Sequence, residues 1–184
     1  MDNGESSYRR FLAGDIEGLH ELIGTYHPGL MLYLNSLVQD LHTAEDLTED
    51  TFAELAIKRP AFSGRSSFKT WLYTIGRNQA VMYIRKHSKL DVIPLESQEY
   101  LADETDLERN YIQGEQKRMV HQALHSLKPD YRQVLYLTYF EDFSNEETAK
   151  VMRKTNRQIR NLLYNAKKAL KSELEKRGFQ YEDE

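Results

Sequence analysis

Residues 144–172 read SNEETAKVMRKTNRQIRNLLYNAKKALKS, and the fold of the second half of the chain follows from this stretch. Ser144 and Glu147 have the spacing of a capping box, which predicts a short helix over residues 145–152. A three-residue turn follows, and a longer basic helix begins at Asn156. A short capped helix, a tight turn and a long basic helix are typical of a helix-turn-helix.

The long helix is basic on one face. Residues 148–172 contain eight basic residues and no acid. Helical periodicity turns Ile159, Leu163, Ala166 and Leu170 inward. The opposite face carries Arg157, Arg160, Asn161, Tyr164, Lys167, Lys168 and Lys171. Arginine and asparagine can pair with base edges in the major groove, and lysine neutralises phosphates. The simpler alternative is a solvated face of a bundle helix, but the capped preceding helix favours DNA binding.

The composition of the 184-residue chain favours helices and excludes several chemistries. Only 9 glycines and 4 prolines are present, which is few for a strand-rich fold with many turns. Since the chain has no cysteine, disulfides, a thiol nucleophile and cysteine-ligated metals are excluded. No apolar run is long enough to span a membrane, and the N-terminal residues lack the pattern of a secretory signal. We therefore expect a cytoplasmic protein.

The charges alternate in blocks along the chain. Residues 58–89 contain eight bases and no acid, whereas residues 91–116 contain eight acids and one base. The acidic block has no sustained hydrophobic period over its first part, which predicts an extended linker. We predict an all-α protein of two small helical domains, residues 1–90 and 106–184, joined by an acidic linker over residues 91–105.

Capping signals divide the first domain into helices. Asp15 is expected to begin one helix, which Pro28 would kink or restart. Thr43 and Asp46 have the spacing of a capping box for the next helix, and Ser66 or Ser67 is expected to cap a third over residues 68–87. On this third helix the predicted buried stripe is Phe68, Trp71, Leu72, Ile75 and Met82.

The third helix also carries a basic face away from that stripe. Lys69, Tyr73 and Arg77 lie on it, and a tyrosine between basic side chains suits phosphate contact combined with stacking on an unpaired base. The preceding loop over residues 61–67 is polar and contains Gly64, so it can approach a nucleic-acid backbone closely. Phe68 and Trp71 are assigned instead to the core.

The helix after Thr43 carries a mixed acidic and apolar face. Leu47, Thr51 and Leu55 are expected to face inward, and the outward set is Asp46, Glu49, Asp50, Ala53 and Ile57. Favourable interaction with the helix dipole accounts for acids in the first turn, but not for Asp50. A protein-docking surface is the alternative, because exposed apolar residues beside acids suit a partner.

Three segments, in order, resemble motifs of the bacterial extracytoplasmic-function (ECF) sigma factors, the smallest class of the sigma-70 family. Residues 44–52, AEDLTEDTF, are similar to the family pattern A-E-D-L-x-Q-E-x-F. Residues 68–78, FKTWLYTIGRN, and 83–86, YIRK, resemble F-x-T-W-L-Y-x-I-A-R-N followed by D-Y-L-R-K. The third segment is residues 127–174, which contain the helix-turn-helix.

The resemblance implies an alternative sigma factor that binds core RNA polymerase and directs initiation through the −10 and −35 promoter elements. It implies no enzymatic activity and no cofactor, and it implies an anti-sigma factor as a further partner. Polymerase docking would use Asp46, Glu49, Asp50, Ala53 and Ile57. The −10 element would be read and melted by Ser63, Gly64, Arg65, Lys69, Tyr73, Arg77, Arg85 and Lys86. The −35 element would be read by Arg157, Arg160, Asn161, Tyr164, Lys167, Lys168 and Lys171.

Two other functions fit parts of the sequence. A free-standing helix-turn-helix regulator would bind duplex DNA without polymerase, as a dimer on a palindrome. Such a regulator has no need of the acidic docking helix. A metal enzyme would need a site built from His42, Glu45, Asp46 and Glu49, whose acids share one face at helical spacing. Helix capping and protein docking already account for those acids.

Overall fold

The structure is a computed structural model that describes residues 4–88 and 109–179, with side chains described from residue 116 onward in the second range. The described part of the chain forms eight α-helices and no strand, so the all-α prediction is confirmed. In chain order the helices are α1 (Glu5–Leu12), α2 (Ile16–Val38), α3 (Leu41–Lys58), α4 (Phe68–His87), α5 (Arg109–Ser126), α6 (Pro129–Tyr139), α7 (Asn145–Met152) and α8 (Asn156–Lys176). The predicted acidic linker lies outside the described residues.

Helix α1 was not predicted from the sequence. It buries Tyr8 and Phe11 completely or nearly so against the rest of the first half, the helices α1–α4. It crosses α2 so closely that a Cβ atom built on Gly18 would lie 2.2 Å from the backbone oxygen of Ser7. The glycine is therefore what allows the two helix backbones to touch.

Helix α2 is continuous through Pro28, so the predicted restart there is wrong. Proline inside a helix removes one hydrogen bond and costs about 3 kcal/mol. Leu30, Tyr33 and Leu34, which follow it, are all fully buried. Burial of this apolar face offsets the cost, because tertiary packing decides helix stability more than local propensity does.

Helix α3 begins earlier than predicted, and a different residue caps it. The side chain of Asp40 accepts a hydrogen bond of 2.7 Å from the backbone N–H of Thr43. The proposed Thr43–Asp46 capping box is therefore wrong, and Asp46 is free of any capping role. Asp15 caps α2 and Ser67 caps α4, as predicted.

An aromatic cluster forms the core of the first half. The ring of Phe68 lies 5.3 Å from that of Tyr8 and 5.5 Å from that of Trp71. The hydroxyl of Tyr8 donates to the backbone oxygen of Pro60 at 2.7 Å, and burial raises the pKa of Tyr8 to about 12. The chain is thus fixed to α1 at Pro60, directly before the loop over residues 61–67.

The helices α5–α8, here called the second half, pack around α6 and α8. Val134, Leu137, Val151 and Ile159 are fully buried there. The two halves also contact each other, since α4 packs against α7 and α2 against α6. This contact brings the basic face of α4 against the second half.

Candidate nucleic-acid and protein interfaces

The helix-turn-helix is fixed by two capping boxes. The predicted one is confirmed: the hydroxyl of Ser144 accepts from the backbone N–H of Glu147, whose carboxylate accepts from the N–H of Ser144 at 3.0 Å. Arg153 adopts a left-handed backbone conformation with φ of 54° and ends α7. Thr155 and Gln158 form the second box, which sequence reasoning missed although both residues have the required spacing.

The predicted DNA-binding face of α8 is open to solvent. Ile159 and Ala166 are fully buried and fix the rotation of the helix. The outward side chains are all exposed, and they are Arg157, Arg160, Asn161, Tyr164, Lys167, Lys168 and Lys171. The ammonium of Lys168 lies 4.8 Å from the ring centre of Tyr164, so the ring and the cation form one patch.

The acidic and apolar face of α3 is also exposed as predicted. Leu47, Thr51 and Leu55 are buried, and the outward set is exposed throughout: Asp46, Glu49, Asp50, Ala53 and Ile57. Ile57 is 81% exposed, which is unusual for an isoleucine without a partner. None of the three carboxylates forms an ion pair with another described residue.

Helix α4 extends this face into a groove of about 430 Å³. Asp50, Ala53 and Ile57 line one wall, and Met82 lines the other. The prediction that Met82 is buried is wrong, because it is 67% exposed. The last fully buried residue of α4 is Ala80, and Val81 and Tyr83 on either side of Met82 are partly buried, so Met82 lies on the uncovered side of the helix.

Several residues predicted to contact the −10 element are exposed at the two ends of α4. Ser63, Gly64 and Arg65 lie in the loop before it, and Arg85 and Lys86 lie in its last turn. Gly64 has φ of 69°, a left-handed conformation that glycine adopts without strain. These five residues form two basic or polar patches that are separated by the middle of the helix.

Tyr73 is buried, so its predicted place on an open basic face is wrong. It is 1% exposed, with its ring 5.4 Å from Tyr33 and 5.2 Å from Phe143. Its hydroxyl donates a hydrogen bond of 2.6 Å to a carboxylate oxygen of Glu141. Burial, together with the negative charge of Glu141, raises the pKa of Tyr73, which therefore stays a hydrogen-bond donor.

Lys69 binds the same oxygen of Glu141. Its ammonium lies 2.9 Å from Oε2 and also donates to the backbone oxygen of Glu141 at 2.8 Å. The cation lies 4.9 Å from the ring centre of Phe143. The ammonium of Lys69 thus makes three contacts with the segment between α6 and α7: the carboxylate of Glu141, its backbone oxygen and the ring of Phe143.

Further polar contacts join α4 and its loop to the second half. Arg77 donates to the side-chain oxygen of Gln133 at 3.0 Å, and Lys150 donates to the backbone oxygen of Arg65 at 3.2 Å. The hydroxyls of Ser67 and Thr70 donate to the carboxylate of Glu147 at 3.2 and 3.3 Å. Burial opposes ionisation of Glu147, but these bonds and those from Ser144 hold its pKa below the ordinary value.

Sequence reasoning did not single out Glu141, Gln133 or Phe143. They lie within the third matched segment, residues 127–174, but outside the helix-turn-helix, and their partners on α4 are 56 to 74 positions away along the chain. No helical period or capping signal relates residues at that separation. A docked second half could be inferred only from the structure.

Within residues 4–88 and 109–179, no group of three or more histidine or acidic side chains is placed to hold a metal ion, and this includes the set around His42. In the same residues, no helix combines the length and apolar character that crossing a membrane requires.

Comparison with protein-family models matches two parts of the chain. The model of sigma-70 region 2 matches residues 22–90, and that of sigma-70 region 4 matches residues 117–170. The first match contains the α3–α4 groove, and the second contains the helix-turn-helix. Together they cover well over half of the chain, in the order of the motifs found in the sequence.

Curated relatives match over most of their own length. The ECF RNA polymerase sigma factor SigX of Bacillus subtilis is 29% identical over 164 residues, which are 84% of this chain and 82% of SigX. The RNA polymerase sigma factor YlaC of the same organism is 29% identical, and the match covers 87% of this chain and 94% of YlaC. The RNA polymerase sigma-H factor of Pseudomonas aeruginosa is 28% identical and covers 95% of each chain.

Solved structures share the fold. CnrH, in complex with the cytosolic domain of CnrY, is 19% identical with a TM-score of 0.68, and the match covers 95% of this chain and 98% of that one. The sigma factor RpoE, in complex with the anti-sigma factor NepR from Bartonella quintana, is 25% identical with a TM-score of 0.64. That match covers 85% of this chain and 96% of RpoE. The two matched regions, the relatives and the fold together show that this chain belongs to the ECF sigma factors of the sigma-70 family.

Proposed function

We propose a separate function for each of three surfaces of this alternative sigma factor, which binds core RNA polymerase and directs promoter-specific initiation. The observation that carries the assignment is that one chain exposes an acidic and apolar face on α3, beside the α3–α4 groove, and a basic face on α8. A free-standing regulator needs only the second of these. The region 2 match over the first surface favours the sigma factor over that alternative.

The α3–α4 groove is the proposed docking site for core polymerase. Asp46, Glu49 and Asp50 supply charge for a basic partner, and Ala53 and Ile57 supply an apolar strip beside it. The exposure of Ile57 supports this role, since an isoleucine with four-fifths of its surface in water gains free energy when a partner covers it. Met82 is added to the predicted set because it lines the same groove.

The exposed face of α8 is the proposed reader of the −35 element. Arg157, Arg160 and Asn161 lie in the first turns of the helix, the part that reaches base edges in this motif. The side chains further along, Tyr164, Lys167, Lys168 and Lys171, are suited to the phosphate backbone. The left-handed turn at Arg153 and the Thr155–Gln158 capping box support the role because they end α7 and begin α8 at defined residues.

The −10 element is the proposed ligand of α4 and the loop before it. Ser63, Gly64, Arg65, Arg85 and Lys86 are exposed in the described structure. Lys69, Tyr73 and Arg77 belong to the same proposed set but are covered by the second half. Their use on DNA therefore requires the halves to separate.

The remaining assignments follow the proposed function. We assign residues 1–90 to polymerase docking and −10 recognition, residues 106–184 to −35 recognition, and residues 91–105 to an acidic linker. An anti-sigma factor is a proposed partner, because the similar sigma factor RpoE forms a complex with the anti-sigma factor NepR. The proposed place of action is the cytoplasm, where bacterial polymerase and DNA are, and no catalytic activity is proposed.

Transcription in vitro tests the function. The chain is mixed with core RNA polymerase and fragments of genomic DNA, and the transcripts are sequenced. We expect starts that depend on the chain and share two upstream elements. Tight, sequence-specific binding of the isolated chain to a palindromic duplex, with no transcripts, would favour the free-standing regulator instead.

A further inference from the structure

We infer that Glu141 is an intramolecular latch that occupies the middle of the −10 surface in the free protein. The inference rests on the proposed function of α4. One carboxylate oxygen of Glu141 accepts a hydrogen bond of 2.6 Å from Tyr73 and forms an ion pair of 2.9 Å with Lys69. The side chain of Glu141 is 9% exposed, so this oxygen is withdrawn from water.

The carboxylate takes the place of a nucleic-acid phosphate. An ammonium and a hydroxyl that converge on one anionic oxygen are the donors that proteins use for phosphate oxygens. While the two halves are in contact, here called the closed form, Tyr73 and Lys69 both bind Glu141. Neither side chain is then available to single-stranded DNA. Separation of the halves would expose both groups together with the face of the Tyr73 ring that Phe143 now covers.

The latch covers part of only one of the three proposed surfaces. The −35 face of α8 and the α3–α4 groove both remain exposed while Glu141 is in place. Of the −10 set, only the central residues are covered, and Arg77 is held by Gln133 beside the latch. The closed form can therefore bind polymerase, whereas the middle of α4 can bind single-stranded DNA only after the two halves separate.

The contact around the latch has the character of a separable interface. Polar bonds surround the buried contact of Tyr73 with Phe143: Lys69 binds Glu141, Arg77 binds Gln133, and the hydroxyls of Ser67 and Thr70 bind Glu147. Each of these groups can form an equivalent bond with water or nucleic acid. Polar contacts between domains are typical of interfaces that open and close.

The substitution Glu141→Ala tests the latch, with Asp142→Asn as a matched control. Both variants remove one negative charge, but Asp142 is exposed and makes no contact with α4 in the described structure. Asp142 has φ of 55°, a conformation that asparagine adopts readily. Since the chain has no cysteine, dyes placed by His20→Cys and Glu175→Cys report the separation of the halves through energy transfer.

The binding probe is a fluorescein-labelled single-stranded oligodeoxynucleotide of mixed sequence. We expect Glu141→Ala to lower energy transfer and to lower the Kd by about fivefold or more, because the apparent Kd equals the intrinsic Kd divided by the open fraction. Asp142→Asn should leave energy transfer unchanged. Equal affinities for the two variants, or opening without tighter binding, would overturn the inference.

A second variant opens the latch from the other side. A Cβ atom on Gly29 would lie 2.7 Å from the hydroxyl of Tyr73 and 2.8 Å from Oε1 of Glu141, so Gly29→Ala displaces the carboxylate without altering any charge. Gly29→Ala should likewise lower energy transfer and lower the Kd. It keeps the inference testable if the Glu141→Ala variant folds poorly. Transcription by the unmodified chain separates the two proposals: a transcribing chain whose variants bind no tighter refutes the latch alone, and a chain that does not transcribe refutes the proposed function.

Discussion

The guanidinium of Arg132 donates a hydrogen bond of 2.9 Å to the backbone oxygen of Ser36, near the end of α2. The same side chain donates to the backbone oxygens of His125, at 3.1 Å, and Leu127, at 2.6 Å. Arg132 is 6% exposed, so one buried cation joins the two halves of the molecule. Carbonyl groups at the ends of helices carry partial negative charge, which stabilises a cation there without a carboxylate.

Arg132→Met should lower the free energy of unfolding by about 2–4 kcal/mol, since buried carbonyl groups lose a charged donor that methionine does not replace. Urea unfolding followed by circular dichroism measures the change. Arg118→Met on the exposed side of α5 is the control, and it should stay within about 0.5 kcal/mol of the unmodified chain. Equal stability of the two variants would show that Arg132 does not join the halves.

Two glycines of α2 should respond to alanine in opposite directions. Gly18→Ala places a Cβ atom against the backbone of α1 and should destabilise the protein by about 1–3 kcal/mol. Gly24→Ala meets no atom within 4 Å and should stabilise it by about 0.5–1 kcal/mol, because alanine has the higher helix propensity. Thermal unfolding of both variants checks the pair, and a stabilising Gly18→Ala would mean that α1 does not cross α2 at this point.

Apolar side chains of the α3–α4 groove should matter for binding and not for folding. Ile57→Ser and Met82→Ser remove exposed apolar surface and should each weaken binding to core polymerase by about tenfold while stability is unchanged. Ile16→Ser, also at an exposed isoleucine but on α2, is the control. Affinity is measured by fluorescence titration with labelled chain. A loss of affinity equal to that of the control would remove Met82 and Ile57 from the docking surface.

Arg160→Ala and Lys168→Ala should separate base reading from phosphate contact on α8. If Arg160 contacts a base, its loss costs about 1–3 kcal/mol and relaxes specificity at one position of the −35 element. Loss of Lys168 should weaken binding to all promoters alike and reduce the salt slope by about one unit. Transcription from a set of single-base promoter variants, at several salt concentrations, distinguishes the two. Uniform losses from Arg160→Ala would assign it to the backbone.

The parts of the fold that depend on neighbouring residues could be predicted from the sequence. Asp15, Ser67 and the Ser144–Glu147 box act over two or three positions, so their caps were found correctly. Thr43 and Asp46 had the same spacing, but Asp40 competes for the same N–H group and begins the helix one turn earlier. Local patterns show which residues can cap a helix, and packing decides which one does.

The candidate site could be predicted only where it faces solvent. The predicted exposure of the α8 face and of the α3 face was correct, because a solvated helix face is visible in the period of one helix. Tyr73 was misplaced because the period of a helix distinguishes its two faces. It does not show whether the polar face contacts water or is covered by a second domain. Met82 was misplaced because the period of a helix does not show which of its sides other helices cover, and here they cover Val81 and Tyr83 instead.

Binding to core RNA polymerase tests the central claim most directly, by size-exclusion chromatography of the full chain with and without the substitutions Asp46→Ala and Asp50→Ala. Neither residue caps α3, so the double variant should keep its fold. A control with Glu17→Ala and Glu175→Ala removes two exposed acids elsewhere. We predict that the unmodified chain and the control elute with polymerase and that the double variant does not. Elution of the unmodified chain apart from a cognate core polymerase would contradict the account.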